Sequence, residues 1–183
     1  PRATGMAVAL ERMKALTLGL TLPPDSIIAC SFGDASLNHS TALGAINVAQ
    51  WAAFQNLPVP ILFVCEDNGI GISVSTPKGW VEASCSSRPG LKYFKADGTA
   101  VAASYDTVKE AVEFCRAKRH PAFLHLGAVR ILGHAGSDVE TEYLTNEEID
   151  ANEARDPLIR TARTLIEGGW ATPTLLGALA AEV

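Results

Sequence analysis

Apolar residues fall into alternating helix-like and strand-like runs along the chain. Between Gly5 and Leu20, Met6, Val8, Ala9, Leu10, Met13, Leu16 and Leu20 recur at helical spacing with Glu11, Arg12 and Lys14 among them. That spacing predicts an amphipathic helix, stopped by Pro23 and Pro24. Ser26 to Phe32 is instead short and almost continuously apolar, as befits a strand covered on both faces and ended by Gly33. A second helix is predicted over Ser40 to Phe54, carrying Leu43, Ile46, Val48 and Trp51, with Asn38 or Ser40 as its cap. Pro60 to Cys65 reads as a second buried strand. Strand Leu91 to Ala96, helix Tyr105 to Lys118 and strand Pro121 to Leu126 repeat the cycle. From Asn146 onward only helical periodicity persists, broken at Gly168, Gly169 and near Pro173.

A strand, a helix-length crossover and another strand make parallel neighbours. The order of elements therefore predicts an α/β chain: a doubly wound, mainly parallel sheet with helices on both faces and a helical C-terminal part. Residues 1–145 are expected to form the α/β domain and residues 146–183 its helical extension. The chain opens at Pro1 inside one amphipathic pattern, without an initiator Met, and stops at Val183 inside another. A truncated fragment lacking the N-terminal part of its domain is the expectation.

Composition narrows the classes. At 183 residues and 48% hydrophobic content the chain has material for one sizeable core. Its 15 basic and 20 acidic residues give a net charge of −5, with no Lys or Arg block, which argues against nucleic acid as a partner. No apolar run approaches the roughly 20 residues of a membrane span, and no basic-then-apolar leader opens the chain, so no membrane association and a cytoplasmic location are expected. Cys30, Cys65, Cys85 and Cys115 lack CxxC spacing, and Cys30 and Cys65 sit in the predicted buried strands. They read as reduced core thiols.

Ligands of doubly wound sheets bind beyond the carboxyl ends of the strands, which directs attention to Gly33 to His39 (GDASLNH) and Glu66 to Ser73 (EDNGIGIS). Taken singly, Gly-Asp and Asp-Asn-Gly are ordinary turn sequences. Together they put a carboxylate, Asp34, and an amide oxygen, Asn68, at the ends of adjacent strands. Gly69 and Gly71 free the backbone to turn a carbonyl, such as that of Ile70, to the same point. Magnesium takes a near-octahedral set of such oxygens, completed by phosphates and water, and the amides after Asp34 can face a phosphate.

Gly33-Asp34-Ala35-Ser36 followed by Cys65-Glu66-Asp67-Asn68-Gly69 resembles the thiamine diphosphate motif that begins Gly-Asp-Gly and ends Asn-Asn. The resemblance implies the thiamine diphosphate-binding fold. In it Asp34, Asn68 and the Ile70 carbonyl would ligate Mg2+, the ion would hold the diphosphate beside Gly33, Ala35 and Ser36, and Ile72 would lie beside the ring system. The sequence departs from the motif at Ala35, in place of the second glycine, and at Asp67, in place of the first asparagine. Its interval from Asp34 to Asn68 is a few residues longer than is usual in the motif, an excess assigned to the loop between Phe54 and Pro60. Glu66 stands where some relatives carry a diphosphate-binding arginine.

Arg130-Ile131-Leu132-Gly133-His134-Ala135-Gly136-Ser137-Asp138 resembles the loop over the cofactor in alpha subunits of pyruvate and branched-chain 2-oxoacid dehydrogenases. Tyr143, Glu147-Glu148-Ile149 and Asp156-Pro157-Leu158 resemble their helical end, so the likeness spans nearly the whole chain. It implies oxidative decarboxylation of a 2-oxoacid with acyl transfer to the lipoyl group of a partner acyltransferase. His134 would stand at the active-site mouth against the cofactor and give a proton or hydrogen bond, while Arg130 orients the loop or a phosphate. Ala135 occupies the place of a phosphorylated serine in regulated relatives, so control by phosphorylation there is not expected. His39, His120 and His125 read as structural or solvated, His39 being the exception to watch because it adjoins the metal loop.

The resemblance further implies a beta subunit or fused beta half that supplies the glutamate activating the aminopyrimidine, in a homodimer or heterotetramer. Residues 1–183 alone are expected to bind cofactor weakly and turn over no oxoacid. Two alternatives stay open. Another thiamine diphosphate enzyme, transketolase-like or acetoin-cleaving, would share the metal loops but need not share the His134 loop, and a non-catalytic scaffold domain would keep the fold while its departures at Ala35, Asp67 and Glu66 abolish cofactor binding.

Overall fold

The computed structural model describes residues 1–19 and 22–182. Its strands, in chain order, are β1 Ile28–Gly33, β2 Ile61–Asp67, β3 Ile70–Gly71, β4 Val74–Ser75, β5 Lys92–Asp97 and β6 Ala122–Gly127. The helices are α1 Arg2–Ala15, α2 Ser40–Phe54, α3 Trp80–Cys85, α4 Val101–Lys118, α5 Asn146–Glu153, α6 Pro157–Glu167 and α7 Pro173–Glu182. The long strands form one parallel sheet in the order β1-β2-β6-β5, and β3 and β4 make a short antiparallel ribbon.

Period-2 alternation along β2 and β6 explains why the sheet carries helices on both faces. Ile61, Phe63, Cys65 and Phe123 point to one side and pack with Ala7 of α1, Ile46 and Ala49 of α2 and Val81 of α3. Leu62, Ala122 and Leu124 point to the other and pack with Ala111 and Cys115 of α4. Each large side chain so buried contributes about 1.5–3 kcal/mol. The connection from β1 to β2 crosses through α2 on one face and that from β5 to β6 through α4 on the other, so the direction of winding reverses between β2 and β6. The expected α/β doubly wound architecture is the observed one, and in such sheets ligands bind beyond the carboxyl ends of the strands where the winding reverses.

Several local expectations need correction. α1 starts at Arg2 rather than Gly5 and ends at Ala15, where the Leu16 amide bonds back to Arg12 and Thr17 takes a left-handed φ of 55°. The helix therefore ends well before Pro23 and Pro24, and Leu20 lies outside the described residues, as does Val183. Strand β1 is not covered on both faces: Ala29 and Ser31 are exposed, because β1 is the sheet edge and α1 and α2 lie on one side of it. Cys30 is accordingly half-buried, whereas Cys65, Cys85 and Cys115 are buried and all four thiols are free. The cap of α2 is neither Asn38 nor Ser40 but His39, whose Nδ1 accepts from the Thr41 amide at 3.2 Å. An extended backbone at His39 lets its ring reach that amide.

The loop after α2 holds Asn56 at φ 58° and runs through Pro60, where the excess length was expected. α4 begins at Val101, a turn before Tyr105, and α3 and the β3–β4 ribbon had no periodicity long enough to announce them. At the C-terminal end, a capping box of Thr145 and Glu148 starts α5, and Asp156 caps α6 with Pro157 at its first turn. None of the described residues of α5, α6 and α7 is buried.

Candidate functional site

Parallel pairing of β1 with β2 puts Gly33 opposite Glu66, so the chain segments that leave these strands start side by side. Asp34 opens a 3-10 turn, Asp34–Asn38, rather than the first turn of α2. The residue is only 3% exposed. Ala35, inside that turn, keeps a negative φ and so needs no glycine.

Across from it, β2 ends at Asp67 and the chain turns at Gly69, φ 78°. The turn is shaped by its own side chains: Asp67 Oδ1 accepts from the Gly69 amide at 3.2 Å, and Asn68 Oδ1 from the Ile70 amide at 3.1 Å. β3 then pairs with β4, Ile70 opposite Ser75. Thr76, just beyond, joins the two loops. Its amide bonds the Gly69 carbonyl at 2.9 Å and its hydroxyl donates to Asp34 Oδ2. Trp80 adds a second tie, its indole N–H donating to Asn38 Oδ1 at 2.7 Å.

The loop after β6 is fastened to the same end of the sheet by Arg130. Nη1 donates to the carbonyl of Ile72 at 2.6 Å, and Nη2 to the hydroxyl of Tyr143 at 2.5 Å. Ile72 is exposed and β-branched yet sits at φ 60°, a conformation that costs about 1–3 kcal/mol and persists only where surrounding contacts fix it. Tyr143 donates in turn to Asp138 Oδ2 at 2.7 Å, and the His134 amide reaches the same oxygen at 2.6 Å. These donors, Tyr143 first, hold the Asp138 carboxyl below its ordinary range. Gly133 is required here, since a Cβ on it would meet the Asp138 carbonyl at 2.8 Å. The His134 side chain is exposed.

A further polar row crosses the sheet beneath the Asn68 turn. His125, 5% exposed, meets Asp67 Oδ2 through Nε2 at 2.8 Å and the Tyr93 hydroxyl through Nδ1 at 2.6 Å. Burial pushes the Tyr93 phenol well up from its ordinary value. His125 is thus bonded at both ring nitrogens, in keeping with a structural reading.

The loops that carry Asp34 and the Asn68–Ile70 turn therefore meet, with Gly33, Ala35 and Ser36 on one side and Ile72 on the other. Arg130 and His134 share the loop fastened to Ile72. Sequence reasoning missed Thr76, Tyr93 and the Asp67–His125 pair as parts of this end of the sheet. The one available signal was a lone histidine in the apolar run AFLHL, since a buried polar group in a strand demands a partner. Among the described residues no three His, Cys, Asp or Glu side chains converge as a metal cage. The donors at Asp34, Asn68 and Ile70 hold one carboxylate, one amide and one carbonyl, a set that suits a hard cation only when phosphate oxygens complete it.

A family model described as "Dehydrogenase E1 component" matches residues 1–183. "Pyruvate dehydrogenase E1 component subunit alpha type II, mitochondrial" of Ascaris suum is 29% identical over 178 residues, which is 94% of this chain and 41% of the relative. "2-Oxoisovalerate dehydrogenase subunit alpha, mitochondrial" of Mus musculus is 29% identical over 174 residues, 93% of this chain and 36% of the relative. The testis-specific pyruvate dehydrogenase E1 alpha subunit of Homo sapiens is 31% identical over 165 residues, 87% of this chain and 40% of that one. The chain thus spans about two fifths of the length of these relatives. Among solved structures, a transketolase from Leishmania mexicana superimposes with a TM-score of 0.50 at 18% identity, covering 85% of this chain and 24% of that one, a likeness of fold. The relatives are named as mitochondrial proteins, which overturns the expected cytoplasmic location. No helix among the described residues is long and apolar enough to cross a membrane. With the match running from the first residue to the last, the chain belongs to the dehydrogenase E1 component family, and its relatives are alpha subunits of pyruvate and 2-oxoisovalerate dehydrogenases.

Proposed function

We propose that this chain is the magnesium- and diphosphate-binding half of a thiamine-diphosphate-dependent 2-oxoacid dehydrogenase. The observation that carries the reading is the clasp between Asp34 and the Asn68 turn through Thr76, because it ties together two loops, far apart in sequence, that each bear a hard oxygen. Asp34, Asn68 and the Ile70 carbonyl are the Mg2+ ligands in this reading. The Asn68 oxygen spends one lone pair on its turn and has a second to offer. Gly33, Ala35 and Ser36 border the diphosphate, and Ile72 flanks the rings. Both departures from the family motif fit the group: Ala35 lies in a turn open to any residue, and Asp67 is engaged with His125 rather than with the ion.

Bound there, thiamine diphosphate supplies a carbon nucleophile and an electron sink for decarboxylation. His134, exposed on a loop that Arg130 and Asp138 fix, gives a proton or hydrogen bond to the oxoacid or during acyl transfer. Residues 1–145 form the cofactor-binding part and residues 146–183 its helical extension. A beta subunit or fused beta half supplies the aminopyrimidine-activating glutamate, a lipoyl-bearing acyltransferase takes the acyl group, and the assembly is a homodimer or heterotetramer.

Calorimetric titration of the full-length protein with thiamine diphosphate tests the reading. Binding is expected to require Mg2+ and to weaken by at least tenfold in Asp34→Ala. Equal affinity in the parent and the variant excludes the assignment. Turnover of pyruvate, branched-chain oxoacids and 2-oxoglutarate with a dye acceptor then identifies the substrate.

A further inference from the structure

A chain of hydrogen bonds runs across the sheet from Tyr93, near the start of β5, to Asp34 just beyond the carboxyl end of β1. It begins at Tyr93, whose ring stacks on Phe123 with centroids 6.1 Å apart and planes 12° from parallel. The Tyr93 hydroxyl meets Nδ1 of His125 at 2.6 Å, and Nε2 of His125 meets Asp67 Oδ2 at 2.8 Å. Asp67 Oδ1 takes the Gly69 amide, the Gly69 carbonyl takes the Thr76 amide, and the Thr76 hydroxyl reaches Asp34. The Asp67 carbonyl also accepts from the Ala128 amide at 2.7 Å, which anchors the end of β2 to the end of β6.

Every bond in this row is satisfied by one tautomer. The Nε2 that faces a carboxylate carries the ring proton, and Nδ1 then accepts from the Tyr93 hydroxyl. With both nitrogens engaged and the ring 5% exposed, the imidazole has one orientation. Its effect is to fix the torsion of the Asp67 side chain, whose other oxygen closes the turn at Gly69. A carboxylate is needed at position 67 for both tasks, since each of its oxygens accepts a different N–H. That turn sets where the Asn68 oxygen and the Ile70 carbonyl point.

We propose that His125 is a positioning residue for the metal site: by holding the Asp67 carboxylate between itself and the Gly69 amide, it aims Asn68 and the Ile70 carbonyl at the diphosphate-bound Mg2+. The inference rests on the metal assignment above. Groups hydrogen-bonded to metal ligands are worth about 10–100-fold in metal affinity when removed; His125 acts one bond further out, on Asn68 through Asp67 and the turn at Gly69, so the lower end of that range is expected.

The test titrates Mg2+ and thiamine diphosphate into the full-length protein with its partner, alongside thermal unfolding without ligands. His125→Ala is expected to weaken Mg2+-dependent cofactor binding by about 10-fold. His125→Gln, whose amide N–H can reach Asp67 as Nε2 does, is expected to recover most of that loss. Rescue of affinity by Gln is the result that a merely space-filling histidine would not give. Tyr93→Phe keeps the ring stack but frees Nδ1, and is expected to cost several-fold in affinity. It decides the matter should His125→Ala fail to fold. Parental affinity in His125→Ala, or in Tyr93→Phe where that substitution must stand in for it, overturns the proposal while Asp34→Ala still weakens binding by at least tenfold. Parental affinity in Asp34→Ala as well overturns the metal assignment itself.

Discussion

The methyl group of Ala35 covers Gly71 so closely that a Cβ added at residue 71 would lie 2.6 Å from it. Two loops that leave different strands are thus in van der Waals contact through the position that departs from the family motif and a glycine across from it. Gly71 has no positive φ to preserve, so its constraint is steric. Gly71→Ala is expected to push the loops apart and lower stability by about 1–3 kcal/mol, measured by urea unfolding. Ala35→Gly in the same chain removes the obstacle and should restore most of the loss. Strict additivity of the two substitutions would show that this contact is not what limits residue 71.

Thr76 supplies the hydroxyl that satisfies the buried Asp34 carboxylate. Thr76→Val keeps the shape and removes the donor, leaving Asp34 Oδ2 without it, which costs about 1–3 kcal/mol. Thr76→Ser, which keeps the hydroxyl, is expected to stay within a few tenths of the parent, a loss about the size of surface substitutions. Unfolding midpoints in urea for the three proteins check the ordering. A valine variant as stable as the parent would mean that solvent, not Thr76, satisfies Asp34.

The parallel strands were legible because β2 and β6 are apolar on both faces and bounded by prolines and glycines, a pattern that only a doubly covered sheet requires. Their neighbours were less so. Edge position leaves β1 half-open even though its sequence reads as apolar, since hydropathy records what a residue tolerates rather than what packs on it. Asp34 and Asn68 were legible as a pair because turn residues after adjacent parallel strands must come near one another. Thr76 was not, for it lies beyond a two-strand ribbon whose segments, Ile70–Gly71 and Val74–Ser75, are too short to show a period. His39 as a cap and His125 as a bridge depend on side-chain reach in three dimensions, which spacing along the chain does not encode.

The cysteines differ in accessibility by position in the sheet. Burial pushes Cys115 up to about 12 and drives the thiols of Cys65 and Cys85 upward as well, so none of the three offers thiolate at neutral pH. Cys30 is half-buried on the edge strand. Alkylation of the native protein at pH 8 followed by peptide mapping is expected to label Cys30 ahead of the other three, which become reactive only in denaturant. Prompt native labelling of Cys65 would contradict the packing of β2.

Helix α6 is held to the end of β5 by Arg160, whose Nη1 pairs with Asp97 Oδ2 at 2.5 Å and also reaches the Thr99 hydroxyl. The Thr99 hydroxyl at 2.7 Å, then Arg160, holds the Asp97 carboxyl down at about 2 from an ordinary 3.8. A depressed folded-state value means that the contribution is complete above the unfolded value and is lost as pH falls through the folded one, here between about pH 4 and pH 2. Both partners are 47% exposed, so solvent screens the pair and added salt should weaken it further. Hydrogen-exchange protection in Pro157–Glu167, taken relative to the intrinsic rate at each pH, is therefore expected to fall across that interval while α4 stays protected, and to do so less steeply in Asp97→Asn. If the protection of α6 relative to the intrinsic rate is the same at pH 5 and at pH 2 in the parent, the pair does not anchor the helix.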